Sequence, residues 1–329
     1  MIRFLLLLLW ATLASALAVE IPAAKTERGT IHRWVTLPAT FAPWQQVELR
    51  ARVDGYVKSV AVDSGDIVKP GQILIEIEVP ELQADLIRHE AEVTAADAAA
   101  KRLKEAFAKS PDLVLPQDVD DSEARLAVAK ANQKRAKTLL DFAQIKAPFA
   151  ATVTDRLVDP GAYASAGAAP LLRLADTATL RLQVPIVELE SGLVRKGQPV
   201  EAKVEALGGA VLAGTVSRVS GILDLQTRTM MIEADFPNAD GRLRPGMFAT
   251  ARVGVERHDG ATLIPTAGLV KEKTATFVFK HADGKAVKTP VKLGFADGTK
   301  VEVPELKPDD LILLPGTTLL TDGQTVTIK

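Results

Sequence analysis

Two stretches of the sequence share one pattern: VDSGDIVKPG, from Val62 to Gly71, and VDPGAYASAG, from Val158 to Gly167. Matching residues lie a constant 96 positions apart, so that Gly65 corresponds to Gly161. Both stretches place turn residues beside β-branched segments, which is typical of short strands joined by tight turns. Because an isolated two-stranded hairpin is only marginally stable in water, neither copy can hold a core alone. The repeat therefore predicts one β-sandwich assembled from two similar halves.

The two halves of this sandwich are predicted over residues 47–80 and residues 145–176, with other sequence between them. The first half ends in the segment QILIEIEV, whose alternation of apolar and polar residues predicts a half-buried strand. Successive side chains of a strand point to opposite faces of the sheet. The alternation therefore predicts one buried face with four side chains: Ile73, Ile75, Ile77 and Val79.

Residues 81–144, between the two halves, carry a helical pattern. Small and apolar residues recur there at alternating steps of four and three, as in the seam of a coiled coil. The two series are Leu82, Leu86, His89, Val93, Ala96, Ala100, Leu103, Phe107 and Val119, Ser122, Leu126, Ala129, Gln133, Ala136, Leu140, Ala143. Pro80 and Pro116 suit the first turn of a helix, and KSPDLVLP between the series cannot continue one. We therefore predict an inserted antiparallel α-helical hairpin with arms of about 40 Å.

The charged residues of this hairpin lie off the seam, which is typical of a solvated helical face. They include Lys101, Arg102, Lys104, Glu105, Lys130, Lys134, Arg135 and Lys137. A seam rich in alanine buries little apolar area, so the hairpin is expected to be held mainly at its base. A long projection of this kind indicates a partner or a reaching function.

The sequence after the second half-sandwich predicts strands throughout. Segments such as GQPVEAKVEAL, VLAGTVSRVSGI and TRTMMIEADF alternate in hydrophobicity and are separated by turn signals. We expect a β-barrel over residues 177–256 and a further β domain over residues 257–329. Residues 19–46 are expected to supply strands to both. The predicted fold class is therefore mainly β with one inserted α-helical hairpin.

Composition excludes several classes of function. The 329 residues are 47% hydrophobic and 25% charged with a net charge of −1, which is ordinary for globular domains. A near-neutral chain lacks the basic surface that nucleic-acid binding needs, and aromatic residues amount to only 5%. The absence of cysteine excludes disulfides, thiolate metal sites and a lipoprotein anchor.

The N-terminus has the features of a secretory signal peptide. A short basic segment is followed by the apolar run FLLLLLWATLASALA, which ends in the A-x-A pattern of Ala16 to Ala18. We expect residues 1–18 to be a signal peptide; the alternative is an uncleaved membrane anchor.

Catalytic and metal motifs are weak in this sequence. His89 and Glu90 begin an HExxH pattern, but Val93 occupies the place of the second histidine and His89 lies on the predicted seam. The chain contains no GxSxG, P-loop or GxGxxG motif, and its methionines and histidines form no cluster. The sequence therefore predicts neither an enzyme nor a cofactor or metal site.

Five segments, in this order and spacing, resemble the HlyD-like periplasmic adaptor, or membrane fusion protein, family of tripartite efflux pumps. They are VDGYVKSVAVDSGDIVKPGQIL, IKAPFAATVTDRLVDPGAYAS, LLRLADTATLRLQVPIVE, TRTMMIEADFPNADGRLRPGMFATARV and LIPTAGLV. The resemblance covers nearly the whole mature chain and is greatest to adaptors of RND-type, proton-driven pumps. It implies an elongated molecule with a lipoyl-like β-sandwich, a β-barrel and a membrane-proximal β domain, the last over residues 257–329.

The resemblance also implies a function and partners. The expected function is that of a periplasmic adaptor, associated with the inner membrane, that links an inner-membrane transporter to an outer-membrane channel for export of small molecules. The family's adaptors commonly form hexameric rings. Adaptors of ABC-type exporters or of heavy-metal efflux systems remain alternatives. A lipoyl- or biotin-type carrier subunit is a further alternative, although the hairpin replaces the turn that would bear the modified lysine, and no Met-Lys-Met or Asp-Lys-Ala motif is present.

In this family the hairpin tip docks on the outer-membrane channel. The family's tip pattern is an arginine, a leucine four residues on and a serine seven further. Here Arg102 matches the arginine, and Ala106 stands in the place of the leucine. Two extra residues enter around Ser110 and Pro111, so Leu115 stands in the place of the serine. The contacts expected at the tip are those of Arg102, Lys109, Ser110, Asp112, Leu113 and Val114. Leu113 and Val114 are expected to be exposed; the alternative is that Leu113 and Leu115 fold back to cap the hairpin.

Overall fold

The computed structural model describes residues 19–272 and 275–329. The predicted signal peptide, residues 1–18, lies outside the described residues. The chain divides into two compact units. One unit contains Phe41–Arg181 and Phe236–Gly246; the other contains the described residues up to Thr40, Leu182–Asp235 and Met247–Lys329.

The regular elements are strands of very different lengths, one long pair of helices and one short helix. The strands of the first half of the chain are β1 (Val19–Ile21), β2 (Ala23–Lys25), β3 (Glu27–Leu49), β4 (Gly55–Val60), β5 (Ile67–Val68), β6 (Ile73–Glu78), β7 (Gln144–Lys146), β8 (Ala151–Arg156) and β9 (Tyr163–Ala164). The later strands are β10 (Leu172–Val187), β11 (Pro199–Val204), β12 (Ala210–Asp224), β13 (Thr229–Pro237), β14 (Phe248–Pro265), β15 (Leu269–Glu272), β16 (Ala275–Ala282), β17 (Lys285–Pro290), β18 (Lys300–Glu302), β19 (Leu311–Leu313) and β20 (Val326–Ile328). The α-helices are α1 (Pro80–Lys109), α2 (Pro116–Asp141) and α3 (Glu188–Ser191).

The sequence repeat appears in the structure as two interlocked half-sandwiches. Strand β5 of the first half pairs with β8 of the second, and β9 of the second half pairs with β4 of the first. The same exchange is made by turn glycines: the N–H of Gly65 donates to the carbonyl of Val153, and the N–H of Gly161 donates to the carbonyl of Val57, each at 2.8 Å. An offset of 96 converts either bond into the other. The prediction of one sandwich built from two copies is confirmed.

Two of the repeated turns are joined by one arginine. The guanidinium of Arg156 lies 3.2 Å from Asp63 and 2.5 Å from Asp159, which are equivalent residues of the repeat. The two carboxylates raise the pKa of Arg156. The backbone N–H of Ser64 and then Arg156 lower the pKa of Asp63, because both stabilise its charged form.

The core of the sandwich differs from the alternation predicted for QILIEIEV. Ile75, Ile77 and Val79 are buried as predicted, but Ile73 is 37% exposed and Leu74 is fully buried instead. The pairing of β6 with β7 shifts register between Ile73 and Ile75. Such an irregularity adds a residue and reverses the faces that follow it, so the simple period of two fails at the start of this strand.

The helical hairpin interrupts the sandwich between β6 and β7. Its helices contain 30 and 26 residues, which corresponds to about 45 Å and 39 Å at 1.5 Å per residue. Every residue of both predicted seam series is buried or half-buried. At the base of the hairpin, Leu82, Leu139, Leu140 and Phe142 pack against the sandwich core. This packing anchors the two helices to the β-sandwich.

One buried polar side chain organises the loop at Phe236–Gly246. The side-chain amide of Asn238 donates to the carbonyls of Thr177 and Leu243, and its oxygen accepts from the N–H of Leu243, each at 2.9 Å. We expect Asn238→Ala to lower the free energy of unfolding by about 3 kcal/mol, because two buried backbone groups of Leu243 and the partly buried carbonyl of Thr177 lose their partner. Chemical denaturation measures this value. An exposed amide serves as the control: Asn132→Ala, on α2, should change stability by less than about 0.5 kcal/mol, and an equal loss in both variants would contradict the argument.

The other unit contains a sheet with the strand order β13–β12–β11–β14–β3. Alternate residues of its strands are buried, among them Val184, Val200, Ala202, Ile232 and Val253. Arg33 on β3 holds Glu190 through two hydrogen bonds of 2.9 and 2.6 Å and also contacts Glu256. These contacts raise the pKa of Arg33 and lower that of Glu190. The network ties the short helix α3 to this sheet.

The N-terminal strands pair with strands from the end of the chain. Strand β1 runs parallel to β20, and β2 runs antiparallel to β19 within the sheet β15–β16–β19–β2. Buried side chains of Ile21, Phe277, Phe279 and Leu313 form one core of this region. Together with the inserted hairpin, these sheets confirm the predicted mainly β fold class.

Candidate functional site

The hairpin tip is a six-residue connection between two helices. Helix α1 ends at Lys109, where the N–H of Ser110 donates to the carbonyl of Ala106 at 2.9 Å. One turn follows, in which the N–H of Leu113 donates to the carbonyl of Ser110 at 3.1 Å. Pro116 then starts α2 without a side-chain cap. The prolines force the chain out of helical geometry and so expose the residues between them.

The tip presents two leucines to solvent. Leu113 is 85% exposed and Leu115 is 67% exposed, so the alternative in which they fold back over the hairpin is wrong. Val114, expected to be exposed, is half-buried, as is Ser110. The exposed apolar surface of the tip therefore consists of Leu113 and Leu115.

The charged residues predicted for the tip are only partly brought together. Lys109 and Asp112 are exposed beside the connecting turn. Arg102 is exposed on α1 about 10 Å further from the turn, which places it outside the tip itself. Within the part of the chain that the structure describes, none of the three has an ion-pair partner. Lys109 at the end of α1 and Asp118 at the start of α2 each suit the helix dipole.

Two exposed apolar surfaces were missed by the sequence reasoning. Ile87 and Val128 are 67% and 60% exposed on the shafts of the hairpin. In the other unit, Leu189 on α3 and Ile222 and Leu225 near the β12–β13 turn are each more than three-quarters exposed. In the sequence, Leu189 stands between two acidic residues in ELES, which indicates an exposed position, whereas Ile222 and Leu225 follow an alternating strand pattern that gives no such indication. Exposure of such residues depends on neighbours that only the fold supplies.

The described residues also bear on membrane and metal chemistry. Within residues 19–272 and 275–329, no helix combines the length and the apolarity needed to cross a membrane. Over the same two ranges, no three side chains of histidine, cysteine, aspartate or glutamate converge in a way that would hold a metal ion.

Family comparisons agree with this architecture. The family described as the RND MFP, barrel-sandwich hybrid domain matches residues 45–173, which contain the interlocked sandwich and the hairpin. The family described as the CusB-like, beta-barrel domain matches residues 179–257. The chain belongs to the RND membrane fusion protein family. As a membrane fusion protein it is a periplasmic adaptor of an RND-type efflux pump.

Relatives of this membrane fusion protein match most of its length. The multidrug resistance protein MdtA of Erwinia amylovora is 27% identical over 93% of this chain and 80% of its own. The nodulation protein NolF of Rhizobium meliloti is 26% identical over 85% of this chain and 80% of its own. Both alignments extend beyond the sandwich and barrel to other parts of the chain.

Solved structures show the same fold. A MacA–MexA chimeric protein that contains the Pseudomonas aeruginosa MexA α-hairpin domain matches with a TM-score of 0.67 and 22% identity, covering 73% of this chain and 87% of that one. MacA from Actinobacillus actinomycetemcomitans matches with a TM-score of 0.55 and 20% identity, covering 88% of this chain and 98% of that one. At these identities the likeness concerns the fold.

Proposed function

We propose that this membrane fusion protein links an inner-membrane RND transporter to an outer-membrane channel, and that the tip of the α1–α2 hairpin is its contact with the channel. The observation that carries the proposal is the exposed pair Leu113 and Leu115 at the end of a helical projection of about 45 Å. Burial of exposed apolar side chains against a partner is favourable in free energy, because it removes apolar surface from water.

The proposed mechanism is structural and involves no bond-making chemistry. The hairpin supplies reach, and its seam keeps the two helices in register. Leu113 and Leu115 would supply apolar contact, while Lys109, Ser110 and Asp112 would form the polar rim of the interface. Arg102 lies too far along α1 to join that rim, and its contact would be with a partner surface that extends past the tip. Export of the chain by residues 1–18 as a signal peptide would place it in the periplasm.

Three alternatives are weaker. Both matched families are of the RND type, which favours an RND pump over an ABC exporter as the inner-membrane partner. A heavy-metal efflux adaptor would gain support from a metal-binding cluster, and the described residues supply none of the histidine, cysteine or carboxylate kind. A lipoyl- or biotin-type carrier needs a modifiable lysine between the half-sandwiches, where the hairpin stands. An RND pump that exports small molecules therefore remains the proposed partner.

Substitution of Leu113 by aspartate is expected to weaken binding to the outer-membrane channel about 30-fold, the effect of losing about 2 kcal/mol at an apolar anchor. Stability should change by less than about 0.5 kcal/mol, because the side chain is 85% exposed. Binding of the purified variant to the purified channel measures the first value and thermal unfolding the second. Leu319→Asp is a matched control, since Leu319 is 94% exposed in the other unit. Equal losses for both variants would contradict a specific role of the tip.

The proposed contact can be located by cross-linking. The chain has no cysteine, so Leu113→Cys provides one thiol for a bifunctional reagent in intact cells. Mass spectrometry of the adducts should identify an outer-membrane channel, while Leu319→Cys should not capture it. Capture of the adaptor alone by the tip probe, together with capture of a transporter by Leu319→Cys, would refute docking through the tip.

A further inference from the structure

Residues 291–299, which we call the strap, connect β17 to β18 and lie against the long strand β14. The N–H of Gly294 donates to the carbonyl of Glu302, and the N–H of Glu302 donates to the carbonyl of Phe295, each at 2.8 Å. These bonds fold the strap back on β18. Strap residues also contact two side chains of β14, those of His258 and Arg252. The strap therefore joins two separate points of one strand.

The part of β14 between those two points has little support from other strands. Strand β11 pairs with β14 as far as Val253, and β18 pairs with it from Leu263 onwards. Within the described residues, β3 alone pairs with β14 between these positions, and that pairing shifts register after Gly254 and again after His258. A two-stranded ribbon is only marginally stable, and irregular pairing bends and twists it. The ribbon of β3 and β14 is therefore a place where this unit can bend.

The first contact of the strap is with His258. The ring of Phe295 stacks on the imidazole, with centroids 4.0 Å apart and an angle of 20° between the planes. The Nδ1 atom of the same imidazole lies 3.0 Å from Oε2 of Glu302, whose side chain is only 12% exposed. The N–H of Phe295 donates to that oxygen at 3.1 Å. A Cβ atom at Gly294 would collide with it, so the glycine leaves the room that the carboxylate fills.

The carboxylate of Glu302 depends on His258 for an opposite charge. Among the described residues, neither a lysine nor an arginine forms an ion pair with Glu302. A nearly buried charge is costly unless a partner is present. A protonated imidazole donates a charge-assisted hydrogen bond, which is about twice as strong as a neutral one. Histidine side chains ordinarily change charge between about pH 5 and pH 8, so this contact is strong in acid and weaker in base.

Glu302 on β18 is the charged group that contacts the imidazole of His258. The residue opposite His258 on β3 is the apolar Ile31, and Phe295 of the strap packs against the small core to which Ile31 belongs. Three other titratable residues lie beside His258 in the sequence or on β3, and they are Arg257, Asp259 and His32. The first two bond to each other at 2.8 Å. A change in the charge of His258 therefore acts on the strap through Glu302.

The second contact of the strap does not involve histidine. The guanidinium of Arg252 donates to the carbonyl of Asp297 on the strap and to the carboxylate of Glu201 on β11, each at 2.9 Å. It also lies over the ring of Trp34 on β3, 4.9 Å from the ring centroid. Arginine stays protonated in proteins. The strap is therefore held at Arg252 irrespective of pH, whereas its hold at His258 depends on charge.

We propose that the strap is a pH-sensitive catch that controls bending of the β3–β14 ribbon. When His258 is protonated, the strap is held on both sides of the first register shift, and the ribbon is rigid. Loss of the proton weakens the contact with Glu302, and the ribbon then bends at the register shifts while Arg252 keeps the strap attached. The parts that move are the sheet that contains β11 and β12 and the sheet β15–β16–β19–β2.

Pulsed electron paramagnetic resonance measures this bending in the full-length protein. The chain has no cysteine, so Ala213→Cys on β12 combined with Ala282→Cys on β16 places one spin label on each sheet, at exposed positions. The distribution of distances between the labels should be narrow at about pH 5.5 and about twice as wide at about pH 8.5. The same width at both pH values would overturn the proposal.

Substitutions assign the response to the catch. His258→Gln and Glu302→Gln should each give a wide distribution at both pH values, because neither variant can form the ion pair. His32→Gln is the matched control on the same ribbon, and it should keep the response to pH. If His258→Gln keeps the response, or if His32→Gln abolishes it, another group controls the ribbon and the proposal is wrong. Circular dichroism checks that each variant folds.

Hydrogen exchange gives a second test in the natural chain without labels. Protection factors, corrected for the intrinsic exchange rate, should fall about fivefold from about pH 5.5 to about pH 8.5 in peptides that cover residues 27–34 and 254–262, because the ribbon opens more often. A peptide that covers residues 275–282, on β16, should keep its protection. No change in the ribbon, or an equal change in all three peptides, would show that the ribbon does not open locally and would overturn the proposal. Labels and peptides lie outside the hairpin, so the result is independent of docking at the tip.

Discussion

Replacement of Gly55 by alanine is expected to lower the free energy of unfolding by about 2–3 kcal/mol. Gly55 begins β4, which pairs with β6 and β9. A Cβ atom at this position would collide with the backbone carbonyl of Glu78 and lie 2.7 Å from the Cγ2 of Ile77. Neither atom belongs to a flexible side-chain end, so the two strands would have to separate. Urea denaturation of the full chain measures the loss.

The control for this prediction is a glycine with free space around it. Gly192 has a φ of −66°, and a Cβ there meets nothing within 4 Å. Gly192→Ala should leave stability unchanged or raise it slightly, because it reduces the freedom of the unfolded chain. If Gly55→Ala unfolds at the same urea concentration as the natural chain, the close approach of β4 and β6 is not a constraint.

Truncation of Leu74 to alanine is expected to destabilise the sandwich by about 2–5 kcal/mol. Leu74 is fully buried in the core that the two half-sandwiches share. Its loss removes apolar contacts and leaves a cavity, which the interlocked strands can fill only in part. Denaturant unfolding gives the change in stability, and cross-linking through Leu113→Cys in the same background reports whether the folded fraction still docks.

Leu113→Ala is the matched control, since it removes the same atoms from a side chain that is 85% exposed. Its stability should stay within about 0.5 kcal/mol of the natural chain, while its binding to the channel should fall. Truncation of Leu74 should thus lower stability, whereas truncation of Leu113 should lower binding to the channel without lowering stability. A similar loss of stability in both variants would show that the tip is part of the folded core.

The sandwich and the hairpin could be predicted because their signals are periodic. Residues related by the offset of 96 make equivalent hydrogen bonds in the structure, as Gly65 and Gly161 do. The residues of the heptad series are buried or half-buried. Family membership was likewise predictable, because ordered segments over nearly the whole mature chain carry the resemblance. The candidate site was harder to predict from the sequence. Leu113 was expected to be exposed and is, but Val114 was expected to be exposed and is half-buried. Which tip residues contact a channel remains a prediction.

Gly55 and Ile73 illustrate why some features could not be predicted. The repeat equates Gly55 with Ala151, so the pattern contains no sign that only one of the two positions excludes a side chain. The difference arises because the carbonyl of Glu78 approaches Gly55 from another strand. Ile73 was placed on the buried face by alternation, yet the register shift between β6 and β7 exposes it.

The sequence by itself determined the fold class, the position of the inserted hairpin and the family, because repeats, heptads and turn residues act through neighbours along the chain. The tertiary structure alone decided how the two half-sandwiches exchange strands, which glycine admits no Cβ, and which of the apolar tip residues meets solvent. Each of these depends on residues distant in sequence that approach one another only when the chain is folded.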